Sequence, residues 1–63
     1  DGADAFGKAI KRSPDYANAY KALGMCYMRL GKIKRAKKNF RSYLKYAPDA
    51  PDASDIKDLI ESL

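Results

Sequence analysis

Residues 17–50 read ANAYKALGMCYMRLGKIKRAKKNFRSYLKYAPDA, and the fold follows from this stretch. In its first half Tyr20, Leu23, Gly24 and Tyr27 fall at i, i+3, i+4 and i+7, one face of an α-helix. The spacing predicts a helix near Ala17 to Leu30. Asp15 offers a carboxylate to the free amides at its start, and Gly31 supplies a left-handed residue to end it. In the second half Ile33, Ala36, Phe40, Tyr43 and Leu44 line one side of a helix from about Ile33 to Tyr46, which Pro48 forbids to continue. A connection of two or three residues around Gly31 and Lys32 leaves both apolar faces buried only if the two helices run antiparallel.

Working outward, Pro14-Asp15 and Pro48-Asp49 stand 34 residues apart. Shifting the chain on itself by that distance pairs Phe6 with Phe40, Ile10 with Leu44, Lys11 with Lys45 and Gly2 with Ala36. A helical pattern repeated at such a period points to a solenoid. Residues Asp1 to Arg12 thus repeat the second helix of the hairpin, with Phe6, Ala9 and Ile10 inward, while nothing in the chain supplies that helix's own mate. An exposed Phe6 and Ile10 face is the expectation. Downstream, Asp52 takes a cap position with Asp55 three residues on, and Ile56, Leu59, Ile60 and Leu63 again fall at i, i+3, i+4 and i+7. The 34-residue shift sets Ser54, Lys57, Asp58 and Glu61 against the first-helix positions, so this fourth helix reads as a cap with polar residues outward.

Together Tyr20, Leu23, Gly24, Tyr27, Ala36, Phe40 and Pro48 resemble the tetratricopeptide repeat in residue type and in every spacing between them. The resemblance covers Ala17 to Ala50, plus the second half of a preceding repeat that ends at Pro14. It implies an all-α chain of about four helices, antiparallel helical hairpins of a right-handed solenoid. Residues 1–14 would be the second helix of a preceding repeat, 15–50 one complete repeat and 51–63 a C-terminal capping helix. A chain that opens on Asp1 rather than Met fits the end of a longer array. In such a repeat Gly24 and Ala36 let the helices approach, Tyr20 and Leu23 fill the hairpin interior, Tyr27 and Phe40 reach toward neighbouring repeats, and Pro48 closes the unit. Tyr43 departs from the pattern: the family has a small residue there, as Ala9 is in the first helix, so a large ring is expected to alter how the last helix docks.

Composition limits the chemistry. The chain has 63 residues, 13 Lys plus Arg against 8 Asp plus Glu, a net charge of +5, no His, no Trp and one Cys. A domain of this size hides only about 60% of the surface of its unfolded chain, which leaves a thin core and no deep cleft. Without His, and with Cys26 alone, the usual zinc sites, Ser-His-Asp and Cys-His pairings and any internal disulfide are excluded. The carboxylates gather on solvated helix starts, where nothing prepares them for acid or base work. A non-enzymatic chain is expected, with no cofactor, metal or small-molecule substrate. Cys26, beside Met25 in mid-helix, reads as a buried packing residue rather than a reactive thiol. One unpaired Cys and no apolar run long enough to span a bilayer suit a soluble protein, cytoplasmic rather than periplasmic.

The resemblance implies a groove on the first helix of the repeat, lined here by Asn18, Lys21, Met25, Met28 and Arg29, that takes a protein or peptide segment. Asn and Lys suit backbone carbonyls and carboxylates, and two Met give an adaptable apolar floor. Lys21 is followed four residues later by Met25 rather than by Asn, so the family's clamp for chaperone C-termini is not matched. Two other readings follow from the residues. One is a homo-oligomer through the open N-terminal helix. The other is binding of nucleic acid or an anionic surface through Lys34, Lys38, Arg41 and Lys45, a stripe within residues 29–45, which carry eight cations and no acid. No aromatic residue is interleaved for base stacking, and the outer face of a solenoid is charged simply to stay in water, which disfavours nucleic acid and membrane. Asp49, Asp52, Asp55, Asp58 and Glu61 could also neutralise the stripe, at about 0–1 kcal/mol per exposed pair.

Overall fold

The apolar spacings become four α-helices in a computed structural model that describes residues 2–13 and 15–63, with residues 2–4 described by backbone alone. These are α1 (Gly2–Arg12), α2 (Ala17–Arg29), α3 (Ile33–Tyr46) and α4 (Ala53–Ser62), with no strand among the described residues. Asp1 and Pro14, and with Pro14 the first of the two Pro-Asp marks, lie outside the described residues. The backbone forms a slab 14 Å thick, against 27 and 26 Å in its other two directions.

The α2–α3 hairpin is the heart of the slab. Leu30, Gly31 and Lys32 connect the two helices, and Gly31 has φ +77°, the left-handed region that a Cβ disfavours. That conformation lets the Gly31 amide donate to the Met28 carbonyl at 3.1 Å and the Lys32 amide to the Tyr27 carbonyl at 2.8 Å. The pair of bonds is a Schellman motif, which satisfies the last carbonyls of α2 and reverses the chain. At the other end of α2 the expected cap is absent. Tyr16, not Asp15, takes the N-cap position, and no side chain caps the helix. Backbone turns hold the entry instead: the Tyr16 amide donates to Ser13 at 2.9 Å, and the Ala19 amide to Tyr16 at 3.1 Å.

Small residues set how closely the helices approach. A Cβ built on Gly24 would lie 2.6 Å from the Phe40 ring, so the phenyl group occupies the space that any other residue at 24 would need. Phe40 is wholly buried, as is Ala36 one turn before it, and both join Tyr43 and Ile56 in one apolar cluster. Phe40 therefore fills the hairpin interior that Gly24 leaves open and also faces the next unit, since Ile56 of α4 joins its cluster. Leu23 is displaced from its expected role. It is buried, as is Ala19, but does not join the Phe40 cluster. Tyr20 and Tyr27 are half-buried against the cluster. Pro48 is exposed in the turn after α3, so it acts by stopping the helix and not by packing.

The outer helices cover what the hairpin leaves. On α1, Phe6, Ala9 and Ile10 are half-buried, so the apolar face expected to stand open is partly covered. On α4, Ile56 is buried, and Leu59, Ile60 and Leu63 pack against the cluster. The α4 quartet lies 36 residues beyond Tyr20, Leu23, Gly24 and Tyr27 rather than 34. The cause is the connection, which has six residues (47–52) before α4 against four (13–16) before α2.

The packing predicts that Phe40→Ala lowers unfolding free energy by about 3–5 kcal/mol. Gly31→Ala, which removes no contact, should lower it by about 1–2 kcal/mol through backbone strain alone. Urea unfolding followed by helical circular dichroism measures both, and a larger effect at Gly31 than at Phe40 would reverse the roles given to them.

Candidate functional site

On α2, the packed stripes leave one line of side chains facing water. Asn18, Met25 and Arg29 are exposed along it, at i, i+7 and i+11, and Met25 is 42% exposed. An apolar side chain that open, with a carboxamide on one side and a guanidinium on the other, is the plainest contact surface on the helix. The other two groove candidates are placed differently. Met28 is half-buried and packs against the Phe40 cluster, so it supports the hairpin. Lys21 is half-buried and committed to a neighbour.

That neighbour is Asp52, the N-cap residue of α4. Its carboxylate does not cap the helix, since no side-chain cap bond forms there. It turns inward: the Lys21 ammonium donates to Oδ2 as an ion pair, and the Tyr43 hydroxyl donates to Oδ1 at 2.6 Å. The Lys21 ammonium also lies 5.7 Å from the centre of the Tyr43 ring, within cation–π range. Three elements meet in this triad, α2 through Lys21, α3 through Tyr43 and the entry to α4 through Asp52. Tyr43 is buried, and its ring, out of pattern for a repeat of this kind, places the hydroxyl that fixes the start of α4.

The titration behaviour follows from these bonds. Hydrogen bonds from Lys21 and then Tyr43 hold the Asp52 carboxyl below the ordinary aspartate range. The Asp52 hydrogen bond raises the Lys21 ammonium, partly offset by burial, and together with burial it raises the Tyr43 phenol. Tyr20 is raised as well, by burial first and then by Tyr46, whose ring stacks on it at 5.4 Å between centroids and 16° between planes.

The basic stripe is present as a surface. Lys34, Lys38, Arg41 and Lys45 are all exposed on α3, and among the described residues none of them forms an ion pair. The Lys45 ammonium rests 5.4 Å from the Tyr46 ring centre, and the Arg35 guanidinium 5.9 Å from that of Tyr27. One face of the Tyr46 ring is occupied by Tyr20, so the aromatic closest to the stripe is already in use. Cys26 is half-buried rather than buried, a free thiol on the flank of α2. Among the described residues no three His, Cys, Asp or Glu side chains converge as metal ligands, and no helix is long and apolar enough to cross a membrane. Sequence reasoning missed the inward turn of Asp52, which lies 31 residues from Lys21 and has no local spacing to betray it. It also missed Leu30, which is 59% exposed at the hairpin turn.

A paired-helix slab with a glycine under a phenylalanine agrees with the family comparison. A family model of the tetratricopeptide repeat matches residues 1–62. The chain belongs to the tetratricopeptide repeat family. No curated protein and no solved structure matches it. The tetratricopeptide match extends through α4. Tetratricopeptide repeats generally mediate protein–protein interaction, and the family is typically a non-enzymatic scaffold.

The triad predicts a pH signature. Because the Asp52 carboxyl is depressed in the folded chain, its contribution is present above about pH 4 and lost as pH falls below that. Lys21 and Tyr43 are raised, so theirs persist through neutrality and are lost only as pH climbs beyond about 10. Urea midpoints measured from neutral to acid pH should fall less steeply for Asp52→Asn than for the parent chain. Parallel acid limbs would show that the triad contributes nothing to stability.

Proposed function

We propose that this tetratricopeptide chain is a protein-interaction module whose α2 face takes a partner peptide, with Met25 as the apolar contact and Asn18 and Arg29 as its polar flanks. The observation that carries the reading is the exposed line itself: Met25 stands open on a helix whose other apolar residues are largely packed. Asn18 can donate to and accept from a peptide backbone, and Arg29 can hold a carboxylate in a forked pair. Lys21 and Met28, which the repeat pattern also assigns to this face, serve it indirectly. Lys21 fixes the entry to α4 through Asp52, and Met28 supports Met25's helix from behind.

In this reading the division of labour follows the repeat. Residues 15–50 form the binding hairpin, 1–14 supply the second helix of a preceding unit, and 51–63 cap the stack. A preformed helical surface needs no reordering on binding, so the partner segment bears most of the ordering entropy. Mechanism here means shape and polarity, with no bond made or broken. Self-association through α1 is the weaker alternative, since Phe6 and Ile10 are already half-buried.

Selection of peptides from a random library against the 63-residue chain tests the reading. Met25→Glu should weaken the selected peptides at least about tenfold, the scale of one lost interface contact, and leave the thermal melt in place, because the side chain is exposed. Peptides that bind Met25→Glu and Arg29→Glu as well as they bind the parent would move the site off α2.

A further inference from the structure

The turn between α2 and α3 carries a feature that peptide binding on α2 shares only at Arg29. Leu30 is 59% exposed, the most open large apolar side chain among the described residues. Around it Arg29, Lys32, Lys34 and Arg35 are all exposed, and Ile33 is half-buried. Among the described residues none of these four cations forms an ion pair, while Arg35 leans on the Tyr27 ring. The hairpin therefore ends in an apolar point ringed by positive charge.

Residues 29–35 carry cations and no acid, whereas acids and cations mix at the opposite end of the hairpin. Helices of 13 and 14 residues are about 20 Å long, so the tip lies about two Debye lengths from the opposite end. Asp15, Asp49, Asp52 and Asp55 lie at that opposite end, before α2, after α3 and at the start of α4, with Lys11, Arg12 and Lys45 beside them. Exposed Asp58 and Glu61 lie further along α4, and among the described residues neither pairs with a tip cation. An extended negative surface would therefore be drawn to the tip, where exposed cations stand with no acid among residues 29–35.

We propose that this tip docks on an anionic lipid bilayer, with Leu30 entering the edge of the hydrocarbon and Arg29, Lys32, Lys34 and Arg35 facing the headgroups. Charge complementarity admits nucleic acid too, but an exposed Leu gains nothing from a phosphate backbone, and the ring beside the tip, Tyr27, is half-buried with Arg35 over it. A protruding turn also suits a flat, deformable surface better than a peptide strand, which needs a groove. Each cation held near an anionic membrane favours binding about fivefold, so the four act together while a single Leu supplies the apolar anchor.

Co-sedimentation of the 63-residue chain with vesicles tests this, using phosphatidylcholine alone and phosphatidylcholine mixed with phosphatidylserine. Binding to the mixed vesicles should exceed binding to the neutral ones by about tenfold or more at low salt and fall as salt rises. Leu30→Asp should reduce it about tenfold, and Lys32→Glu with Lys34→Glu more than about twentyfold. Lys38→Glu with Lys45→Glu, the same charge change moved away from the tip, should lose only a few-fold. All these side chains are exposed, and circular dichroism checks that each variant keeps its helices. Three results would each overturn the proposal: equal binding to neutral and anionic vesicles, an indifferent Leu30→Asp, or equal losses from the two double reversals. Binding to a DNA duplex that matches vesicle binding and ignores Leu30→Asp would transfer the tip to nucleic acid.

Discussion

Everything in this chain hangs on the contact between Gly24 and the Phe40 ring. Two helices can pack at ordinary separation with almost any side chains between them, but a phenyl group pressed against helix backbone requires that one position carry no side chain at all. Once the ring is seated there, Ala36 has to be small, and Tyr43 and Ile56 complete a cluster around the ring. In a domain of 63 residues that cluster is most of the available core. The hairpin, the docking of α4 and the open line on α2 all follow from how α2 and α3 are held.

The Lys21, Tyr43 and Asp52 triad does a different job at the edge of the same core. Apolar packing alone lets a short helix slide or rotate on its support, because contacts between Ile56, Leu59, Ile60 and the cluster are not directional. A carboxylate accepting from both an ammonium and a phenol is directional, and it fixes where α4 begins. The two extra residues in the connection before α4 give Asp52 the reach to do so. The arrangement also shapes what the binding face offers. With Lys21 committed to Asp52, the face presents Arg29 as its cation, Asn18 at the far end and Met25 between, and under the proposed reading it would suit a partner with an apolar residue near an acidic one.

Much of this was legible in the sequence, for reasons that are local. Helical periodicity located all four helices to within a residue or two, since a buried stripe repeats every three or four positions whatever it packs against. Gly31 marked the turn because only a left-handed residue closes a Schellman motif cheaply. What periodicity does not carry is the identity of the opposing surface. It could not say that Phe40 sits on Gly24 inside its own hairpin, or that Leu23 does not join that ring's cluster, because both sets of residues lie on buried stripes. The polar ends of helices were misjudged for the same reason. Asp15 and Asp52 have the chemistry of caps, yet backbone turns serve at one helix start, and a distant lysine and tyrosine claim the carboxylate at the other. Of the five groove candidates, Asn18, Met25 and Arg29 emerge together on water-facing ground, whereas Met28 and Lys21 are drawn off by neighbours that no spacing within α2 reveals.

The measurement that tests the account most directly is the urea unfolding free energy of Gly24→Ala. Helix propensity favours the substitution by about 1 kcal/mol, because alanine is the better helix former. The buried ring opposes it, since a Cβ 2.6 Å from Phe40 forces the ring or the helices to move, and the ring is wholly buried. Overpacking of this kind outweighs propensity, and the account predicts a net loss of about 1–3 kcal/mol that shrinks when Phe40 is also made Leu. A Gly24→Ala chain as stable as the parent, or more so, would contradict it.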